Sequence, residues 1–262
     1  MITLAKKSTA FGEVTILQRR ATGSHIYQHE DWFQSEADRN GISLAAYVHA
    51  IFGLLTQTPA HDVLMIGCGG GTLGTMLAKA GRLVTIVDIN PDSIALAREY
   101  FSLPAHIACY VDDGALFVDR GQKLFDAIVI DAFVDDSVPR HLSSKEFFMR
   151  VRQRLKASGC VFLNVLLQHG SDLSADIIAG NMADAAFNLR VLEFPGPMVR
   201  NAIVMGGAVN GLQVPTLLMK PESLDDEIMV DLEGVHFRGG RRSWNASADP
   251  DAAASVSEPP TP

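Results

Sequence analysis

Apolar and polar positions change their period twice along this chain. Residues 11–38 alternate almost one by one, F-G-E-V-T-I-L-Q-R-R, a turn around Ala21 to Ser24, then H-I-Y-Q-H-E-D-W-F-Q-S-E-A-D. That is the period of antiparallel strands with one covered face, and it predicts a small β-hairpin or meander ahead of the main domain. After Asn40 and Gly41 the spacing becomes helical, with Leu44, Tyr47, Val48, Ile51, Leu54 and Leu55 on one face and Ser43 as the expected N-cap. From Val63 onward, short apolar runs alternate with helical segments, the mark of buried parallel strands joined by crossover helices.

Strands are expected at 63–66, 83–87, 107–111 and 125–133, and a fifth is entered through a turn at L-K-A-S-G. Two more, at 189–194 and 202–206, read as an antiparallel pair closing one sheet edge around P-G-P at 195–197. Helices are expected at 72–80, from Pro91, behind Ser144 as a cap, and at 176–186. The sum is an α/β, Rossmann-like, doubly wound and mostly parallel seven-stranded sheet with a small N-terminal β-hairpin. The division expected is a hairpin over 1–40, a nucleoside-binding catalytic domain over 41–244, and a disordered tail over 245–262. That tail is rich in Ala, Ser, Pro and Asp and has almost nothing to bury.

Composition narrows the classes of function. The chain has 262 residues, 47% hydrophobic and 20% charged, enough to bury a full core. Its longest apolar runs are too short to span a bilayer, and its N-terminus has no signal-type h-region, so neither a membrane nor secretion is expected. A formal charge of −8 argues against nucleic acid as a partner. Cys68, Cys109 and Cys160 are widely spaced and lie in or beside strands, which predicts reduced core thiols, no metal and a cytoplasmic setting.

The candidate chemistry collects at the carboxyl ends of the strands. V-L-M-I-G-C-G-G-G-T-L at 63–73 is a strand, a glycine turn and a helix start. Gly67, Gly69 and Gly71 allow a ligand to approach the backbone where unpaired N–H groups are on offer. Asp88, ending the second strand, stands where an acid accepts bonds from ribose hydroxyls. Asp112 and Asp113 follow the third strand; Asp113 is placed for an exocyclic amine of a base, although either acid serves equally as a helix cap. Asp131 ends the central strand and faces whatever lies beyond the nucleoside. Asp135 and Asp136 sit in a polar loop, and His25, His141 and His169 lack metal-ligand spacing.

These motifs resemble the spermidine synthase family, the polyamine aminopropyltransferases, built on the scaffold of S-adenosylmethionine-dependent methyltransferases. The resemblance runs from about Trp32 to Val165. I-G-C-G-G-G-T-L stands for the family's I-G-G-G-D-G-G, V-D-I-N-P for V-E-I-D-P, D-D-G-A for G-D-G or G-D-A, and F-D-A-I-V-I-D for Y-D-V-I-I-V-D. H-L-S-S-K-E-F-F and L-K-A-S-G are similar to its L-x-T-x-E-F-Y and L-K-P-G-G. By this resemblance Asp88 binds ribose, Asp113 with Asp112 beside it binds the base, and Asp131 falls at the reaction centre. Gln34 and Tyr47 fall near a nucleotide-contacting glutamine and a substrate-contacting tyrosine, at longer spacing. Two departures stand out. Gly70 replaces an aspartate that holds the transferred aminopropyl amine, and D-A-F-V-D-D replaces D-S-x-D-P, leaving Asp135 as the second acid.

The resemblance implies transfer of an aminopropyl group from decarboxylated S-adenosylmethionine to a small-molecule amine such as putrescine. Asp131, Tyr47 and Asp135 are then catalytic, and a homodimer is implied. Methyl transfer from S-adenosylmethionine in the same pocket is the alternative that Gly70 favours, and a non-catalytic nucleoside-binding protein is the third.

Overall fold

Two sheets organise the chain, whose computed structural model describes residues 1–134 and 136–238. The tail expected over 245–262 lies outside the described residues. The first sheet is an antiparallel meander of β1 (Ile2–Thr9), β2 (Gly12–Gln18), β3 (His25–His29) and β4 (Trp32–Ala37), paired in that order. Alternation predicted its last three strands. It missed β1, which pairs with β2 from Ile2↔Gln18 to Thr9↔Gly12, because most of β1 is exposed and neither face carries an apolar stripe. The inner face of the meander, with Val14, Ile16, Tyr27 and Ala37, packs on Leu96 and Phe101 of the segment that follows the second strand of the main sheet. Tyr27 Oη and Ser93 Oγ are 2.9 Å apart, and His25 Nδ1 lies against the Tyr100 carbonyl, fixing the meander over that helix.

Next comes α1 (Ala46–Thr56), two residues later than the sequence predicts. Ser43 does not cap it. Ser43 pairs in a bridge with Ala37, so the chain is still extended there, and its hydroxyl accepts from the Ala45 N–H instead.

The main sheet alternates β5 (Asp62–Ile66), α2 (Thr72–Lys79), β6 (Leu83–Asp88), α3 (Pro91–Tyr100), β7 (Ala108–Val111), α4 (Gly114–Arg120), β8 (Phe125–Ile130), α5 (Lys145–Arg154) and β9 (Leu155–Leu167). It closes with α6 (Ser174–Asp184), β10 (Leu189–Glu193), β11 (Arg200–Gly207), α7 (Asp225–Gly234) and β12 (His236–Phe237). The order is β12-β10-β11-β9-β8-β5-β6-β7, eight strands where seven were expected. The extra one is two residues long, too short for a periodic signal, and lies on β10 through Leu192↔Phe237 and Glu193↔His236. Arg238 beside it bonds Glu193 and Asp176, both at 2.8–2.9 Å. Strands β5 to β9 are mutually parallel, and β11 runs antiparallel to β9 and β10, the expected closing pair.

Two local expectations shift. L-K-A-S-G is no turn, since β9 begins at Leu155 directly after α5 with an irregular register against β8 between Phe125 and Ala127. Strand β8 stops at Ile130 rather than Phe133, once the Asp131 N–H has bonded the Ile66 carbonyl at 2.8 Å. Ser144 does cap α5, accepting from the Phe147 N–H at 3.2 Å.

Side-chain alternation along the buried strands divides the core. Val63, Met65, Ile86, Ala127, Val129 and Phe162 pack on α1, α2 and α7, while Leu64, Ile66, Ile128, Ile130, Val161 and Leu163 pack on α5 and α6. Strand order reverses between β5 and β8. The crevice beyond their carboxyl ends is the place where such a sheet takes a ligand.

Candidate functional site

A cavity of about 570 Å³ opens at that crevice. Its floor is the strand ends of β5, β6 and β8, and the meander contributes one wall through Phe11, Tyr27, Trp32, Phe33, Gln34 and Ser35.

The glycine turn forms the near side. Gly67 has φ +100°, and a Cβ there would run into the Asp131 carbonyl, so this position holds the ends of β5 and β8 close together. Gly70 is packed differently. A Cβ there would meet Phe101 at 2.9 Å and the Ser35 Cβ at 3.0 Å, and its N–H donates to Ser35 Oγ at 3.0 Å. Gly67 and Gly69 line the cavity. Gly71 does not; it lies behind the turn as the left-handed residue before α2, with its Cα face against Leu103.

Asp88 sits at the end of β6 with both carboxylate oxygens on backbone donors, Oδ2 from the Cys68 N–H and Oδ1 from the Asn90 N–H, each at 2.7 Å. Burial pushes its carboxyl above the usual range, and these two bonds pull it back. Each oxygen keeps a lone pair for a diol, so the arrangement fits a ribose.

Asp113 lines the cavity too, but its Oδ1 accepts from the N–H groups of Ala115 and Leu116, both at 2.9 Å, and caps α4. The capping role and the cavity position coexist. Its Oδ2 faces His141 Nε2 at 2.9 Å, so a base amine would share that oxygen with the imidazole. Asp112 stays outside the cavity, accepting from the Asp113 N–H and standing 3.9 Å from Arg120. Its assignment as a nucleoside contact is not supported by this placement.

Asp131 lines the cavity just beyond the end of β8. The Tyr47 hydroxyl donates to its Oδ2 at 3.3 Å, and Asn164 Nδ2 donates to its Oδ1 at 2.9 Å. Asn164 in turn accepts from Asn201 Nδ2 at 2.9 Å, giving a line of side chains from α1 through β8 and β9 to β11. Solvent reaches this group through the cavity, but protein surrounds it. Burial therefore raises the Asp131 carboxyl above the usual carboxylate range, against the opposing pull of Asn164 and Tyr47. Burial, with the neighbouring carboxylate next in size, holds the Tyr47 phenol well above its ordinary value, so it stays a donor.

Asp135 lies outside the described residues. Asp136 is bonded by Gln168 Nε2 at 3.0 Å and does not line the cavity. Sequence reasoning missed Ser35, Asn164 and Asn201. The signal for Asn164 was present, a lone amide inside the apolar run V-F-L-N-V-L-L. Among the described residues no group of three or more His, Cys, Asp or Glu side chains is gathered to hold a metal. No helix among them is long and apolar enough to cross a membrane. Cys68 and Cys160 are buried free thiols and Cys109 is half-buried; burial pushes the Cys160 thiol up to about 12.

Known proteins match this geometry. Residues 63–159 match the family model described as a methyltransferase domain. The polyamine aminopropyltransferase of Vibrio vulnificus is 34% identical over 120 residues, 43% of this chain and 40% of that protein. The polyamine aminopropyltransferase of Chromobacterium violaceum is 31% identical over 170 residues, 61% of this chain and 62% of that one. The match thus spans between 40% and 62% of the length of these relatives. A probable spermidine synthase from Corynebacterium glutamicum superposes with a TM-score of 0.72 over 89% of this chain and 90% of its own, at 18% identity. The chain is therefore similar in its central sequence to polyamine aminopropyltransferases and to a methyltransferase domain, and it shares the fold of a probable spermidine synthase.

Proposed function

We propose that this chain is an aminopropyltransferase, moving the aminopropyl group of decarboxylated S-adenosylmethionine to a small amine such as putrescine. The observation that carries the reading is the carboxylate of Asp131, held by Tyr47 and Asn164 in the same cavity as the glycine turn and Asp88. The donor's sulfonium supplies a good leaving group. What remains for the protein is to orient the partners, exclude water and present the amine with its lone pair free.

In this reading Gly67, Gly69, Asp88 and Gln34 hold the nucleoside, and Asp113 takes the base edge in competition with His141. Asp131 takes a proton from the acceptor amine, directly or as the new bond forms. The amine nitrogen bonds the carbon next to sulfur, the carbon–sulfur bond breaks, its electron pair stays on sulfur, and the displaced proton rests on the carboxylate. Burial suits Asp131 to this task, because a raised carboxyl is a better base than an exposed one. Tyr47 keeps one carboxylate oxygen oriented towards the cavity, and Asp135 is proposed to help hold the acceptor. A cytoplasmic homodimer is part of the same proposal, supported by the free thiols and by the family resemblance.

Methyl transfer from intact S-adenosylmethionine is the second reading, favoured by one feature. At Gly70 no carboxylate meets an aminopropyl ammonium, and Phe101 and Ser35 crowd the position. Calorimetric titration with S-adenosylmethionine, its decarboxylated form and methylthioadenosine, followed by product analysis with putrescine, separates the two. Preference for the decarboxylated form with amine-dependent release of methylthioadenosine is expected. Preference for the intact form would move the assignment to methyl transfer, and failure to bind all three would sink both.

A further inference from the structure

At the opposite end of the sheet from the nucleoside cavity, a second cavity of about 300 Å³ lies between the ends of α4 and α5, beside the start of β8. Its walls include Gly121, Gln122, Arg150, Gln153 and Arg154. Arg154, in the last turn of α5, is only 6% exposed, yet its Nε has no hydrogen-bond partner among the described residues. The guanidinium lies 5.8 Å over the Phe125 ring and presses on Gly121, where a Cβ would collide with Nη2. One helical turn earlier, Arg150 also lines the cavity. Its buried Nε is likewise without a hydrogen bond, and Asp119 Oδ1 stands 3.7 Å away.

An arginine cannot shed its proton to escape burial, and a buried Nε–H without an acceptor carries a desolvation cost. A basic residue in a last helical turn does complement the helix dipole, but that leaves the Nε–H unmet. Phe125 supplies a face, not an acceptor atom. With two guanidinium groups against one carboxylate, Asp119, the cavity carries an excess positive charge. Its size accommodates a small molecule, and two arginines four residues apart present the forked donors that oxyanions accept in pairs.

We infer that this cavity is a binding site for a small oxyanion, a phosphate or a carboxylate, held between Arg150 and Arg154. It is remote from the nucleoside cavity and does not rest on the proposed reaction.

The test is thermal unfolding of the full chain titrated with inorganic phosphate and, separately, acetate, at ionic strength held constant with chloride. A saturable rise in Tm of about 2–4 °C is expected with at least one of them. Response to phosphate alone assigns a tetrahedral anion, and response to acetate alone assigns a carboxylate. Arg154→Met is expected to abolish the rise and, in the absence of either anion, to melt no lower than the parent, since it removes a buried unpaired charge. Arg150→Gln keeps Arg154 in place and is expected to weaken the response about tenfold, which covers the case in which Arg154→Met does not fold. A shift that merely follows ionic strength, one unchanged in both variants, or no shift with either anion would overturn the site.

Discussion

Replacing Asp131 with Asn separates chemistry from folding. The amide has the shape of the carboxylate, and its oxygen can accept from Asn164 Nδ2 as Asp131 Oδ1 does at 2.9 Å. Its nitrogen then faces the Tyr47 hydroxyl, which turns from donor to acceptor in place of the present 3.3 Å bond. No buried polar group is stranded, so lost bonds cost less than about 1 kcal/mol. Burial raises the Asp131 carboxyl above its unfolded value, so between those two values the folded protein binds more protons than the unfolded one. Stability from this group is therefore greatest below the unfolded value, near 3.9, and is lost as pH rises through the folded one. At pH 7 the parent bears that cost in full and the variant does not. Asp131→Asn should melt at or above the parent at pH 7, and the advantage should vanish towards pH 3. Removing a general base costs about 10²–10⁴-fold in rate, or roughly 3–5 kcal/mol of transition-state stabilisation. Melting curves from pH 3 to 8 and amine-dependent release of methylthioadenosine measure both. Activity within tenfold of the parent would refute Asp131 as the base, and a variant several kcal/mol less stable would refute the network as drawn.

Three further substitutions probe the cavity walls. Gly67→Ala forces a Cβ into the Asp131 carbonyl at a positive φ and is expected to lose about 3 kcal/mol, read by urea denaturation. Asp88→Asn turns a donor towards the N–H of Cys68 or Asn90, and calorimetry should show nucleoside affinity reduced at least tenfold alongside a loss of about 1–3 kcal/mol in stability. Gly70→Asp should not rescue aminopropyl binding. With Phe101 and Ser35 within about 3 Å of the new Cβ, it is expected to cost about 1–3 kcal/mol and to leave affinity for the decarboxylated donor no higher.

Sequence period made the fold legible where burial is two-sided. Strands β5, β6 and β8 lie in the middle of the sheet, so nearly every residue in them is apolar, and the glycine turn and Asp88 follow from their ends. The period failed where burial is slight: β1 is mostly exposed and β12 has two residues. Seven strands and a hairpin became eight strands and a four-stranded meander for that reason. Site residues divided along a similar line. The placement of Asp88 and Asp131 on the cavity was legible because strand ends at a switch point face the crevice. Asp112 and Gly71 were assigned by adjacency to Asp113 and Gly69, which line the cavity, yet one residue along a turn is enough to face another way. Asn164 and Asn201 were invisible as a pair, since the contact joins strands 37 positions apart and depends on β9 and β11 being neighbours.

The departures at Gly70 and at the loop after Asp131 bear on one charge problem. Of the described acids that line the cavity, Asp88 and Asp113 spend their oxygens largely on backbone N–H groups, and Asp131 alone is held entirely by side chains. A diamine acceptor and the donor's aminopropyl end bring more positive charge than one carboxylate neutralises. The crowding at Gly70 follows from the meander, because Ser35 on β4 occupies the space above the turn and takes its N–H. Under the proposed reaction Asp131 therefore works best on an amine that gives up its proton on entry, as its raised carboxyl favours. The remaining cationic ends are then shared between Asp135, as proposed above, and the aromatic wall of Phe11, Trp32 and Phe33, whose ring faces attract cations without a countercharge. Acceptor choice in this protein is in that case governed by the meander as much as by the parallel sheet, and truncating Trp32 should alter the KM for the amine while sparing that for the nucleoside donor.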